Sequence, residues 1–389
     1  MKAGPIIAIV ALALAAMPAV ARAAEPTAIR DMLSAVPQSA ARDLAEGNHI
    51  VAIDLAAIRS AAQAQGEDEA AILARSRMSG RIYSLLSPLF TPLVAGATIE
   101  EWRERAGAFV PASTAAVEYG EWSSFVSIWT FKDTAAADAV FGTLPAEGFS
   151  PIGDGVMADG EPRGQRPTPV DRFSLWRTDR DRTTIVARDG RRLLQSRDRD
   201  AVEKAAQVAA ADGLTALPVV DVLLHGMETV AAGKMDVLQA VLVPAKDGRF
   251  DPPRGASREE FERAIAEAQA TSLPRYAGIL VANIEAPGRS KGAMVAMAFT
   301  DCDTAAEAAR RFVARWKDAP TRVEGRPMSA LVPAEVATGT VAGSSILCAA
   351  VVTMTTAVSA GDDPAVNQPF QTIMQRVARR DFPPMLMVP

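Results

Sequence analysis

Histidine and cysteine are scarce in this 389-residue chain, which holds two residues of each type. Neither His49 nor His225 has a second histidine or a cysteine three or four residues away, the spacing that zinc sites use. We therefore expect no metal ion and no cofactor. Gly343-Ser344-Ser345 lacks the second glycine of a serine-hydrolase nucleophile motif, so a serine hydrolase has little support.

Long apolar runs are absent after the N-terminus, so no later segment has the length of a membrane span. The first residues combine Lys2, an apolar run from Ile6 to Ala16, and Ala21-Arg22-Ala23, the pattern of a cleaved secretory signal. We predict that residues 1–23 are a signal peptide and that the mature chain resides in the bacterial periplasm. The alternative location is the medium outside the cell.

A strong charge of either sign is also missing. The formal net charge is −5, and removal of Lys2 and Arg22 makes the mature chain slightly more acidic. Proteins that bind nucleic acid or anionic membranes carry basic surfaces, so we expect neither as a partner. An envelope protein or a small ligand remains as the expected partner.

The two cysteines, Cys302 and Cys348, lie in the second half of the chain. In an oxidising compartment such a pair can form a disulfide, provided that the strands that carry the two residues are neighbours. We favour two buried free thiols and keep the disulfide as the alternative.

One sequence unit occurs twice. An apolar strand that ends at Phe131 leads into Asp133-Thr134-Ala135-Ala136, and a second strand that ends at Phe299 leads into Asp303-Thr304-Ala305-Ala306. The aspartate or threonine of each unit is expected to cap a helix, since both side chains accept hydrogen bonds from free backbone N–H groups.

A second pair of matching segments lies earlier in each half of the chain. Leu33-Ser34-Ala35-Val36-Pro37 matches Leu214-Thr215-Ala216-Leu217-Pro218 in residue type, and each is followed by a helical segment and then a strand. We therefore predict two tandem α+β repeats, residues 24–212 and 213–389, each a mostly antiparallel sheet with helices packed on one face. The alternative is a chance similarity of alanine-rich helices.

Local patterns predict further elements within these repeats. They are helices between residues 67 and 109, a loop from Gly153 to Pro169, and a strand from Arg322 to Val332. Residues 171–200 mix arginine and aspartate, which indicates an exposed hairpin of mixed charge, with its turn at Asp189-Gly190.

Aromatic residues make up only 5% of the chain, and four of the five tryptophans lie in the first predicted repeat. The segment from Glu118 to Trp122 places two carboxylates and two aromatic rings at one predicted hairpin tip. Exposed tyrosine and tryptophan on a rigid tip are typical of contact surfaces. The candidate partner-binding residues are Glu118, Tyr119, Glu121 and Trp122; the alternative is that both rings fold back onto their own sheet.

The continuous apolar runs from Ile50 to Leu55 and from Val237 to Val243 predict strands that are covered on both faces. Asp54 interrupts the first of these strands, and His49 precedes it. A buried carboxylate must be paired or hydrogen-bonded, so Asp54 either lies in a cleft as an acid, base or ligand anchor, or marks the strand's exit into solvent, which is the interpretation we favour. His225 is expected near the end of a helix. The composition and the missing motifs favour a non-enzymatic binding or scaffold protein of the cell envelope. The alternative is an enzyme that uses His49 and Asp54 on a small molecule.

Overall fold

A computed structural model of the chain describes residues 28–63, 113–121, 124–162, 164, 183–248, 257–286, 288–359 and 366–387. The predicted signal peptide, the helices predicted between residues 67 and 109, and Trp122 all lie outside the described residues.

Twelve strands of the described residues form one continuous antiparallel sheet, in the order β11-β12-β10-β9-β8-β1-β2-β3-β7-β6-β5-β4. The strands are β1 Ile50–Asp54, β2 Ser113–Tyr119, β3 Val126–Phe131, β4 Ser150–Gly153, β5 Val156–Ala158, β6 Ile185–Asp189, β7 Arg192–Ser196, β8 Asp236–Val243, β9 Gly278–Ala286, β10 Ser290–Phe299, β11 Glu335–Ala342 and β12 Cys348–Ala357. The sheet passes from the predicted first repeat to the second through the antiparallel pair of β1 and β8. The protein is therefore an α+β protein with a large antiparallel sheet.

Helices cover both faces of this sheet, not one face as predicted. The helices are α1 Ala28–Ser34, α2 Ala41–Glu46, α3 Leu55–Gln63, α4 Thr134–Phe141, α5 Arg199–Ala206, α6 Pro218–Ala231, α7 Arg258–Thr271, α8 Cys302–Asp318, α9 Met328–Leu331 and α10 Gln368–Ala378. The buried residues of α3, α4, α8, α9 and α10 belong to one apolar core. Those of α1, α5 and α6 belong to a second core on the opposite face.

The alternation of side chains along each strand explains the two cores. Val51 and Ile53 contribute to the first core, while Ile50 and Ala52 contribute to the second. Successive side chains of a strand point to opposite faces, so a strand that is apolar at every position requires cover on both sides. The continuous apolar runs correctly predicted strands that are covered on both faces. The predicted arrangement of helices on one face of the sheet was inconsistent with those strands.

Helix α6 lies close to β12. A Cβ atom on Gly226 would lie 2.8 Å from Ala349 Cβ and 3.0 Å from Val351 Cγ2, so glycine permits this approach. The helix continues to Ala231, which places His225 in its middle and corrects the prediction of a helix end at that residue.

One of the two repeated units has its helix cap where it was predicted, and the other has its cap two residues earlier. Asp133 caps α4 as predicted, by accepting a hydrogen bond from Ala136 N. Helix α8 begins earlier, at Cys302, and its cap is Asp301, whose carboxylate accepts from Thr304 N at 2.7 Å. The two units are therefore equivalent in structure at Phe131 and Phe299. In each unit the capping aspartate follows the phenylalanine by two residues.

Residues 322–332, predicted as a strand, form a turn followed by α9. The carboxylate of Asp381 accepts hydrogen bonds from Arg322 N at 2.5 Å and Val323 N at 3.2 Å. Because these backbone donors bind a side chain, they are not available to a neighbouring strand. Strands β4 and β5, in contrast, overlap the region from Gly153 to Pro169 that was predicted as a loop.

The two cysteines are joined by a disulfide, with 5.1 Å between their Cα atoms. Cys348 starts β12 and is paired in register with Phe299 at the end of β10. Cys302 starts α8 just beyond that strand end, so the strand pairing places the thiols next to each other. The two free thiols that we favoured are not present. Within the described ranges, no helix combines the length and apolar character needed to cross a membrane.

Candidate functional site

A cavity of about 590 Å³ lies over the first part of the sheet, on the face that α1 and α5 cover. Helix α1 contacts β1 and β2, and α5 contacts β6, β7 and β3. Both helices are short, and the sheet surface between them forms the floor of the cavity. On the same face farther along the sheet, the fourteen residues of α6 pack across β9 to β12. The volume lies within the range that small-molecule sites occupy.

One row of residues across four strands carries the polar groups of this cavity. Asp54 of β1 is paired with Ala115, Ala115 with Thr130, and Thr130 with Arg192 of β7. All four residues line the cavity. Since neighbouring strands lie about 4.8 Å apart, the Cα atoms of Asp54 and Arg192 are separated by roughly 14 Å. The row therefore has a carboxylate at one end and a guanidinium at the other.

The next row of the same face is apolar. Ala52 is paired with Val117, Val117 with Ile128, and Ile128 with Leu194. Val117 and Ile128 line the cavity together with Met32 of α1. The cavity thus combines an apolar floor with two polar ends.

Asp54 ends β1 and starts the following helix. Its Oδ1 accepts a hydrogen bond from Ala57 N at 2.8 Å. Burial raises the pKa of Asp54, while the backbone N–H groups of Ala57 and Ala56 and the charge of Arg59 act in the opposite direction. The carboxylate is half-buried and lines the cavity, whereas we favoured an exit of the strand into solvent at this residue.

The basic end of the cavity lies at the hairpin of β6 and β7. Arg192 forms an ion pair with Asp189, three residues earlier. Arg191, which is exposed, also lines the cavity. The turn between the strands contains Gly190 at φ 56°, the left-handed conformation that the predicted Asp189-Gly190 turn requires.

No family model, curated protein or solved structure matches this chain. Among the described residues, no group of three histidine, cysteine, aspartate or glutamate side chains is arranged to hold a metal ion. The geometry of the cavity is thus the main guide to function.

His49 lies at the other end of β1 from Asp54. Its Nε2 is 3.3 Å from a carboxylate oxygen of Asp247. Burial, reinforced by the positive charge of Lys246, lowers the pKa of His49 to about 4. The two residues proposed as an acid/base pair are therefore separated by the length of a strand, roughly 17 Å at 3.4 Å per residue, and only Asp54 lines the cavity.

The hairpin tip does not present its tyrosine. Only 6% of Tyr119 is exposed, and it belongs to the core on the face that α1, α5 and α6 cover. Glu118 accepts a hydrogen bond from Ser127 Oγ at 3.0 Å, across the strand pair. Glu121 is exposed. The burial of Tyr119 agrees with the alternative in which the ring folds back onto its own sheet, and Trp122 lies outside the described residues.

Sequence reasoning also missed a complete Gly-x-Ser-x-Gly pattern at residues 288–292, with Ser290 at its centre. Their position differs from that of a catalytic nucleophile, because the segment connects β9 to β10. A nucleophile elbow requires a junction between a strand and a helix.

Sequence reasoning missed the polar residues that share a row with Asp54, namely Thr130 and Arg192. The sequence does contain a signal for them. Thr130 lies two residues from Ile128 and Arg192 two residues from Leu194, so each polar side chain shares a face of its strand with a buried apolar one. The interpretation of residues 171–200 as an exposed, mixed-charge hairpin concealed it. Only the strand register shows that these side chains share a row with Asp54.

Proposed function

We propose that this protein is an exported, non-enzymatic binding protein of the bacterial envelope that holds a small zwitterionic molecule in the cavity over β1, β2, β3 and β7. The observation that carries this proposal is the row from Asp54 to Arg192, with opposite charges at its ends and an apolar floor beside it.

The charges define the class of ligand. A basic group of the ligand would pair with Asp54. An acidic group would pair with Arg191, or with Arg192 in place of Asp189, its partner within the chain. Charge-assisted hydrogen bonds of this kind are the strongest that a side chain makes in a half-buried site. The Cα separation of roughly 14 Å, less the reach of both side chains, suits opposite charges about 10 Å apart, the length of an extended tripeptide.

Three related peptides test this proposal: trialanine, N-acetyl-trialanine, which lacks the amine, and trialanine amide, which lacks the carboxylate. Isothermal titration calorimetry should give the tightest binding for trialanine. We expect each blocked peptide to bind about tenfold more weakly, since each loses one charge-assisted hydrogen bond.

The variant Asp54→Asn tests the acidic end. It should abolish the difference between trialanine and its acetylated form, and leave the effect of amidation unchanged. Asp133→Asn is the matched control, because Asp133 caps a helix by the same hydrogen bond, to the backbone N–H three residues on, and does not line the cavity. Equal binding of the three peptides to the wild-type protein would refute the proposal.

The proposed compartment rests on two observations. The N-terminus has the pattern of a signal peptide, and Cys302 and Cys348 are paired as expected for an oxidising environment. Fractionation of cells that express the full chain should recover a shortened protein in the periplasm. Recovery of the full-length chain in the cytoplasm would contradict this.

We also propose that the two halves are copies of one unit. The order of strands supports this: outward from the β1–β8 pair it is β1-β2-β3-β7-β6 on one side and β8-β9-β10-β12-β11 on the other. The matched segments near the start of each copy lie against each other, with Leu214 N donating to Val36 O at 2.7 Å. The closing helices depart from this relation, since α5 and α10 belong to different cores.

An enzyme that acts on a small molecule in the same cavity is the second candidate. The raised pKa of Asp54 favours it, because a half-buried carboxyl group is suited to proton transfer. Mass spectrometry of trialanine after incubation with the protein distinguishes the two. Unchanged peptide supports a binding protein, and cleavage that is lost in Asp54→Asn supports an enzyme.

A further inference from the structure

The two edge strands of the sheet differ in how well they resist further pairing. At one edge, β4 has four residues, contains Pro151 and pairs with β5 in an irregular register. Short length, proline and irregular pairing are the features by which natural sheets prevent association at their edges. At the other edge, β11 has eight residues, all paired with β12 in an unbroken register.

The outer side of β11 has none of these protective features. From Val336 to Ala342 the strand contains neither proline nor a charged residue. Five of its eight residues are exposed, Glu335, Ala337, Thr338, Thr340 and Ala342. Within the described part of the chain, no strand pairs with this side. An antiparallel strand with one neighbour leaves half of its backbone N–H and C=O groups directed outward, ready to pair.

The sequence of β11 is complementary to itself. It is nearly symmetric about Gly339: Thr338 and Thr340 flank the glycine, followed on each side by a small or β-branched apolar residue. If a second copy is laid antiparallel with Gly339 opposite Gly339, each Thr338 lies opposite a Thr340. Pairs of threonines opposite each other stabilise antiparallel strands.

The same register avoids repulsion between the copies. Glu335, the only charged residue of β11, would lie opposite the backbone of Gly343, just beyond the end of the partner's strand. No like charges face each other. The turn after β11 contains Ile346, 84% exposed, and in this register that turn lies beside the start of the partner's β11.

We propose that β11 pairs antiparallel with β11 of a second copy of this chain, centred on Gly339, so that one sheet of twenty-four strands runs through a symmetric dimer. The pair of β1 and β8 within one chain is a junction of the same antiparallel kind. This surface lies at the opposite end of the sheet from the edge strand β4, and it is separate from the cavity.

Multi-angle light scattering coupled to size-exclusion chromatography tests the dimer. The wild-type protein should have twice the mass of one chain, in a concentration-dependent equilibrium. The double variant Thr338→Lys/Thr340→Lys should be monomeric, because lysines of the two copies would lie opposite each other. Ser150→Lys, on the protected edge strand β4, is the matched control and should retain the wild-type mass.

A charge-reversal mixture tests the register. Thr338→Glu/Thr340→Glu should also be monomeric alone, and an equimolar mixture of the lysine and glutamate variants should recover the dimer mass. Both threonines are exposed, so melting temperatures close to that of the wild type would confirm that the variants are folded. A monomeric wild-type protein, a dimer that persists in the lysine variant, or a mixture that stays monomeric would each overturn the proposal.

Discussion

Arg30 in α1 is hydrogen-bonded to Glu228 in α6, although 198 positions separate them in the chain. Its Nε and one terminal nitrogen donate to Oε2 at 3.0 and 2.9 Å. Only 6% of the Glu228 side chain is exposed. Since α1 forms one wall of the cavity, this ion pair anchors the cavity wall to the helix that covers the second half of the sheet.

Removal of one partner of this pair should be costly. We predict that Glu228→Ala lowers the free energy of unfolding by about 2 kcal/mol, because the partly buried guanidinium group loses its hydrogen bonds to Glu228 and keeps its ion pair with Asp221 at 2.7 Å. Urea denaturation followed by far-UV circular dichroism measures the change. Glu262→Ala, in the exposed pair of Arg258 and Glu262, is the control and should have little effect.

The double variant Arg30→Met/Glu228→Leu separates charge from packing. It removes both charges and keeps most of the volume. Asp221, which also loses its pair with Arg30, is partly exposed and keeps the hydrogen bond from Ser344 Oγ at 3.0 Å, so the double variant should recover most of the lost stability. If Glu228→Ala is as stable as the wild-type protein, the ion pair does not hold α1 in place.

The disulfide should contribute substantially to stability. It closes a loop with a sequence separation of 46, and the chain-entropy estimate for such a loop is about 4 kcal/mol. Addition of dithiothreitol should therefore lower the urea midpoint of the wild-type protein. Cys302→Ser/Cys348→Ser should show the lower midpoint with or without the reductant. A wild-type midpoint that does not respond to complete reduction would contradict a stabilising disulfide.

His49 should make stability depend on pH in mildly acidic solution. Its pKa is about 4 in the folded protein, and about 6.5 in an unfolded chain. Between these values the unfolded chain binds a proton that the folded protein does not. The free energy of unfolding should therefore fall as the pH drops from 6.5 towards 4, by up to about 3 kcal/mol.

Two histidine variants isolate this effect. His49→Gln should have a flatter pH dependence than the wild-type protein over this interval, measured by urea denaturation at several pH values. His225→Gln changes the other histidine, which is exposed on α6, and should retain the wild-type slope. Equal slopes for both variants would show that His49 is not the group responsible.

Local patterns in the sequence predicted much of the sheet. Strand β1 was predicted from Ile50 to Leu55 and runs from Ile50 to Asp54, and the Asp189-Gly190 turn joins β6 and β7. These features depend on residues next to each other in the chain, namely a β-branched apolar run and a glycine that accepts positive φ. The cap of α4 at Asp133 was predicted for the same reason.

The cavity and the cover of the sheet depend on distant residues, so the sequence did not reveal them. Tyr119 is of a residue type that is common at exposed contact surfaces, yet it is buried in a core that includes residues remote in the chain. Arg192 joins Asp54 in one row only through the register of four strands. A pattern read along one segment contains no information about register between strands.

A methyl NMR titration with trialanine tests the proposed binding site most directly. With alanine, isoleucine and valine methyl groups labelled, signals from Ala115, Val117 and Ile128, which line the cavity, should shift with peptide concentration. Signals from Ala282 and Ile284, buried on the same face in the second half of the sheet, should stay unchanged. Shifts at the second pair without shifts at the first three, or no shifts at any of the five, would contradict a ligand site in this cavity.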